Sequence, residues 1–203
     1  MRDIINENFI INKNNVYHNI DKFKSGKSNV LFVCGLSGSG KTTLSKKIAI
    51  EYNDCIIIEL DKLIDGDILR HSNLENYQKK CSSGELIIYN WLHKNKKYRY
   101  DLINENNVEH MVSKFINHVL TIASENQEYK YIIEGMIIQL DDYSFVYDYP
   151  IIIKRTSTVN SFINMMRRSN YKFKDMEDFI NILSFYIDDD KKLNDFLLNL
   201  ESR

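Results

Sequence analysis

The residues best suited to chemistry lie together in Gly35-Leu-Ser-Gly-Ser-Gly-Lys-Thr-Thr43, which fits G-x-x-x-x-G-K-[ST] at every fixed position. Each residue type has its own task. The glycines let the backbone turn tightly enough to aim several N–H groups at one anion. Lys41 puts a point charge on a long stem that can reach the β- and γ-phosphates of a nucleotide. Thr42 supplies a hydroxyl for Mg²⁺. A pattern this restrictive arises by chance in well under ~1% of chains of this size.

The elements that must position this loop are legible on either side. Asn29-Val-Leu-Phe-Val-Cys34 is a short apolar run and reads as a buried strand. Leu44–Glu51 has helical spacing. Strand, glycine loop and helix in that order would set phosphates at a helix N-terminus, where free N–H groups and the dipole favour negative charge. Cys55-Ile-Ile-Ile-Glu-Leu60 reads as a second strand ending at Asp61, Tyr131-Ile-Ile-Glu134 as a third, and Pro150-Ile-Ile-Ile-Lys154 as a fourth. Val16, Ile20 and Phe23 are spaced for a short helix beside the first strand. Residues 62–100 read as mostly helical, with Gly84 a break and Trp91 a packing anchor. The clearest helix spans 107–123, where Val108, Met111, Val112, Phe115, Ile116, Val119, Leu120 and Ala123 share one face. Asn106 and Glu109 resemble its capping box. Alternating strands and helices imply a parallel sheet, with ligands beyond the carboxyl ends of the strands.

That rule singles out the residues that follow each strand. Asp61 could accept a proton from an attacking hydroxyl or hold Mg²⁺ through water; its plainer role is to cap a helix starting at Lys62. Asp65 and Asp67 read as solvated or capping, and Arg70 as either a substrate contact or a surface charge. Glu134 could contact an acceptor or a metal-bound water, or merely bond backbone; its strand lacks the usual Asp or Asp-Glu ending of a Walker B segment. Past Arg155, the residues Val159, Phe162, Ile163 and Met166 form a helical stripe, with Arg168 opposite and Arg167 on the flank. Guanidinium groups there suit the charge that develops on a transferring phosphoryl group, and the segment could close as a lid. A solvated charged face is the plainer reading. The tyrosines at 129, 131, 143, 147 and 149 suit core and rim packing better than a base-stacking platform.

Taken together, Phe32–Thr43, Asp61, Ile-Ile-Glu-Gly at 132–135 and the downstream Arg167-Arg168 pair resemble the P-loop kinases of small molecules. That group includes uridine kinase and phosphoribulokinase, adenylylsulfate kinase, zeta-toxin-like sugar-nucleotide kinases and polynucleotide 5′-kinases. The resemblance covers about residues 29–170. It implies a P-loop NTPase fold: three α/β/α layers on a parallel sheet, a helical insertion and an Arg-containing lid. By resemblance, ATP phosphates are held by Lys41 and the amides of Gly35, Ser37, Gly38, Ser39, Gly40, Thr42 and Thr43. Thr42 ligates Mg²⁺, Asp61 activates the acceptor hydroxyl, and the Arg167 region is the lid. The domain reading is a helical lead-in at 1–28 and a kinase domain at 29–203, with an acceptor-binding insertion at 62–128 and a lid at about 156–175. No acceptor signature of the group is present in 62–128.

Composition narrows the classes. With 203 residues and a formal net charge of −1, the chain suits one α/β domain and argues against a dedicated nucleic-acid binder. Three scattered cysteines without a C-x-x-C pair, and five histidines without ligand spacing, point to free thiols and no zinc. The expected location is cytoplasmic, with no signal peptide and no apolar run of the ~18–20 residues a membrane span needs. The expected function is ATP- and Mg²⁺-dependent transfer of a γ-phosphoryl group to a hydroxyl of a nucleoside, nucleotide or sugar-nucleotide. The rival acceptor is a polynucleotide 5′-hydroxyl, with Lys94, Lys96, Lys97 and Arg99 interleaved by Tyr98 and Tyr100 as its basic channel. A nucleotide-driven switch, or a degenerate nucleotide sensor, is the alternative outside the kinases. The Asp of a guanine-specific Asn/Thr-Lys-x-Asp signature is missing at Tyr98, which argues against a GTPase.

Overall fold

The computed structural model describes residues 15–52, 54–64, 82–95, 108–135 and 144–168, with Lys191 and Leu198 besides. It is an α/β structure on a mixed, mostly parallel five-stranded sheet. In chain order the elements are β1 (Val16–His18), α1 (Ile20–Lys24), β2 (Val30–Cys34), α2 (Lys41–Ala49), β3 (Cys55–Glu59) and α3 (Leu60–Ile64). There follow α4 (Ser83–Lys94), α5 (Val108–Glu125), β4 (Lys130–Gly135), a 3₁₀ turn at Ser144–Asp148, β5 (Ile151–Ile153) and α6 (Thr158–Arg168).

The strand order is β1-β5-β2-β4-β3. The four strands expected from apolar runs are parallel to one another. The fifth was not expected. Val16 lies in β1, antiparallel to β5 with Val16 opposite Ile153, and not on a helix with Ile20 and Phe23. A strand of three residues carries too little pattern to announce itself; its partner's unpaired edge forms it, and so covers that edge.

Helices cover both faces, which is why the strands read as continuous apolar runs. All five residues of β2 are buried. Leu31, Val33, Ile132 and Ile152 face one core with Phe23 of α1 and Leu44 and Ile48 of α2. Val30, Phe32, Cys34, Tyr131, Ile133, Ile151 and Ile153 face the other, with α4 and α5. Trp91 anchors that second core, its ring edge-on to Phe115 at 5.4 Å. On α5 the expected face is buried at Met111, Val112, Phe115, Ile116, Val119 and Ala123, while Asn106 lies outside the described residues.

Gly84 does not break a helix. It sits in the first turn of α4, where a Cβ would run into the carbonyl oxygen of Ile57; glycine lets α4 close on β3. The start of α4 is fixed by a capping box: the Ser82 hydroxyl accepts from Glu85 N–H at 3.3 Å, and the Glu85 carboxylate accepts from Ser82 N–H at 2.7 Å.

Topology sets the site. From β2 the chain passes through α2 to β3, on the β4 side. From β4 it crosses to β5, on the opposite side of β2. The direction of winding therefore switches at β2, and the crevice this creates lies at its carboxyl end, immediately before Gly35.

Candidate functional site

The segment after β2 folds as the glycine pattern requires. Gly35, Gly38 and Gly40 have φ of 144°, 78° and 90°, all in the left-handed range that side chains resist. At Gly35 a Cβ would run into the carbonyl oxygen of Lys154, and at Gly38 into that of Ser161. Ser39 N–H donates to Leu36 O at 3.1 Å, closing a turn with Gly38 at its third position, where a type II turn needs positive φ. Lys41 is buried, and its ammonium donates to the same Leu36 oxygen at 3.0 Å. An amide and an ammonium thus converge on one point.

The loop runs straight into α2. Gly40 is its N-cap and offers no side-chain cap, and the first turn has no acidic residue. The first N–H groups of α2 have no acceptor within the helix, so they add to the positive end of its dipole. The Ser39 hydroxyl is buried without a hydrogen-bond partner among the described residues.

Behind the loop lies Glu134, 4% exposed at the carboxyl end of β4 and opposite Val33 of β2. Thr42 Oγ1 donates to its Oε1 at 2.6 Å, and Ser45 Oγ to its Oε2 at 3.1 Å. Burial raises its pKa above the ordinary value; the Thr42 hydrogen bond opposes this, the Glu59 charge adds to it, and Ser45 and Lys41 oppose it. Thr42 spends its only proton on this carboxylate, so its lone pairs remain for a cation. Among the described residues no group of three or more His, Cys, Asp or Glu could hold a metal. A cation here would use Thr42 and Glu134 and keep several waters, the habit of Mg²⁺. The uncapped helix, the partnerless Ser39 hydroxyl and this hard-oxygen pair all fit a magnesium polyphosphate.

The acid ending β3 is Glu59, not Asp61, because helix begins at Leu60. Leu60 and Leu63 turn into the core, so Asp61 falls in the first turn of α3 with its side chain exposed, and does not cap a helix starting at Lys62. Glu59 stands in register with Glu134. Lys62 bridges Glu59 at 2.9 Å and Glu85 at 2.7 Å, tying β3, α3 and α4 together at the crevice edge.

Beyond β5 the expected stripe is rotated. Ser161 is fully buried and Met166 is 2% exposed, whereas Ile163 is 36% exposed. The reason is contact with the loop: Ser161 packs on Gly38, and Asn164 Nδ2 donates to Gly38 O at 3.0 Å. Arg167 is exposed on α6, one turn past Asn164; the Arg168 side chain, Asp65, Asp67, Arg70 and residues 169–175 lie outside the described residues. The helix read as a lid is therefore seated on the loop by its first two turns.

Three participants escaped sequence reading. Ser45 and Asn164 are ordinary helix residues until the fold brings Glu134 and Gly38 to them. Lys154 had been read only as a strand end; its Cε lies 3.8 Å from where a Gly40 Cβ would be. Burial, then the nearby charge of Lys47, lower its pKa. Of the basic channel, only Lys94 is described: its charge acts on His118, in the half of α5 that runs toward the amino edge of the sheet, where Asn29 donates to Ala123 O at 2.8 Å. Tyr131 and Tyr147 are buried, in keeping with packing. No helix among the described residues is long and apolar enough to cross a membrane. No protein-family model matches this chain, and no curated protein does.

Proposed function

We propose that this chain is a P-loop kinase that binds ATP with Mg²⁺ at Gly35–Thr43 and transfers the γ-phosphoryl group to a hydroxyl of a nucleoside, nucleotide or sugar-nucleotide. The observation that carries the reading is the 2.6 Å bond from Thr42 to buried Glu134, which holds a hydroxyl and a carboxylate beside Lys41 at the mouth of an uncapped helix. Lys41 and the Ser39 amide, which now converge on Leu36 O, turn that convergence onto phosphate oxygens. Bound Mg²⁺ supplies charge neutralisation on the phosphate chain. Asp61 accepts the proton of the acceptor hydroxyl as its oxygen bonds to phosphorus and the bond to ADP breaks. Arg167 and Arg168 stabilise charge on the transferring group. Catalysis is positioning plus electrostatics.

A second reading gains from the same bond. Glu134 occupies a place from which an acid can serve a metal or a water, so a nucleotide-hydrolysing switch without transfer competes directly. Radiolabelled ATP offered with pooled nucleosides, sugars and 5′-hydroxyl oligonucleotides separates the two. A labelled acceptor that disappears with Lys41→Met supports the kinase. Release of phosphate alone supports the switch. Strong salt dependence of acceptor binding would move the acceptor to a polynucleotide. Asp61→Asn should cut turnover far more than ATP binding; equal losses would remove Asp61 from catalysis.

A further inference from the structure

We infer that Asn164 is a positioning residue for the phosphate-binding loop: its side-chain amide, by holding the Gly38 carbonyl outward, aims the Ser39 N–H inward. The inference rests on the proposed triphosphate site and adds to it how the loop keeps its shape.

A trans peptide unit is planar, and its C=O and N–H point opposite ways. The Gly38 carbonyl and the Ser39 N–H belong to one such unit. Asn164 Nδ2 donates to Gly38 O at 3.0 Å on one side; on the other, Ser39 N–H points to Leu36 O at 3.1 Å, where the Lys41 ammonium also arrives. Rotating this unit would turn a carbonyl dipole toward an incoming phosphate oxygen and remove a donor. Glycine makes such rotation easy, because Gly38 has no side chain to limit it. The turn bond to Leu36 holds the N–H side of the unit, and α6, 126 residues away in sequence, holds its carbonyl side.

Two further observations show that α6 is fitted to this task. Ser161 O approaches Gly38 so closely that no Cβ could stand there, so the contact excludes every residue but glycine. The backbone of Met165 approaches the same place, and Ser161 itself is fully buried. At its start α6 is pinned by Ser157, whose Oγ accepts from Asn160 N–H at 3.1 Å and whose carbonyl accepts from Ser161 N–H at 2.9 Å. Arg167 follows Asn164 by three residues, on the next turn. The same bond thus ties the orientation of the helix that carries the arginines to the orientation of a loop amide.

The test is titration of the full chain with ATP and Mg²⁺, using wild type and Asn164→Ala, Asn164→Asp and Asn164→Gln. Loss of one hydrogen bond that orders a donor should weaken binding by Asn164→Ala roughly threefold to tenfold. Asp has the size of Asn but faces the carbonyl with an acceptor, so Asn164→Asp should bind more weakly than Ala. Gln keeps the donor on a longer stem and should recover part of the loss. All three should melt within about 4 °C of wild type, because a single part-buried hydrogen bond is all that the fold loses. Wild-type affinity in Asn164→Ala, or Asp binding as well as Ala, would overturn the inference while leaving the site itself intact. Failure of wild type to bind ATP would instead remove the site, and the inference with it.

Discussion

Gly38 and Gly26 share a φ of 78°, yet a Cβ on Gly38 would collide with α6 while one on Gly26 would meet nothing within 4 Å. This makes Gly26→Ala an internal control for Gly38→Ala. Both variants bear the left-handed backbone cost of about 1–2 kcal/mol. Both also gain from reduced freedom of the unfolded chain, and the gain cancels between them. Only Gly38→Ala must push Ser161 and Met165 away. That forfeits the Asn164 bond, about 1 kcal/mol, and repacks α6 at about 1–3 kcal/mol. The difference between the variants is therefore roughly 2–4 kcal/mol. For a chain of this size it corresponds to a melting midpoint roughly 4–16 °C lower for Gly38→Ala than for Gly26→Ala. Differential scanning fluorimetry of the two variants in one buffer measures it. Midpoints that agree within about 1 °C would show that α6 does not rest on the loop, and the argument from that contact would fail.

Glu134→Gln should flatten the pH dependence of stability in metal-free buffer. The carboxyl has a raised pKa, so its stabilising contribution is complete below the ordinary value of 4.5 and is lost as pH rises through the folded-state value. Wild type should thus lose ground to the variant as pH rises toward neutrality, in melts taken across that window; parallel curves would contradict the buried placement. The same substitution should raise the Mg²⁺ concentration needed for turnover about 10- to 100-fold. Lys154→Gln should weaken binding of inorganic triphosphate about threefold to tenfold at low salt, whereas Lys154→Arg keeps it; identical isotherms for wild type and Gln would exclude Lys154 from the site. Burial pushes the thiols of Cys34 and Cys55 up to about 12. Neither should react with a disulfide reagent at pH 8 until denaturant is added, as mass mapping of labelled peptides would show.

Much of the framework was readable because it depends on residue types at fixed local spacing. The glycine loop is one such case. The apolar runs of β2, β4 and β5 are another, since a strand buried on both faces needs no alternation. The eight apolar positions of α5 recur with helical period; six are buried, and Val108 and Leu120 pack partly buried at the core's edge. The misreadings share a cause: the deciding contact is distant in sequence. Glu134 is not one of them: it reads as an acid open to an acceptor or a metal-bound water, and what the sequence does not show is its bond to Thr42, 92 residues away. Leu60 continues an apolar run, so the strand looked one residue longer than it is; the core contact that starts α3 is invisible locally. The stripe Val159, Phe162, Ile163 and Met166 has good helical spacing, but Gly38 accepts close approach and selects Ser161 for burial in place of Ile163. β1 is too short to show any period.

Calorimetric titration of wild type and Lys41→Met with ATP in the presence of Mg²⁺ bears most directly on the proposed site. A single site in wild type, with affinity reduced at least about tenfold by Lys41→Met and an unchanged melting midpoint, is the expected result. No heat from wild type, or equal binding by both proteins, would mean that the loop after β2 does not hold a triphosphate.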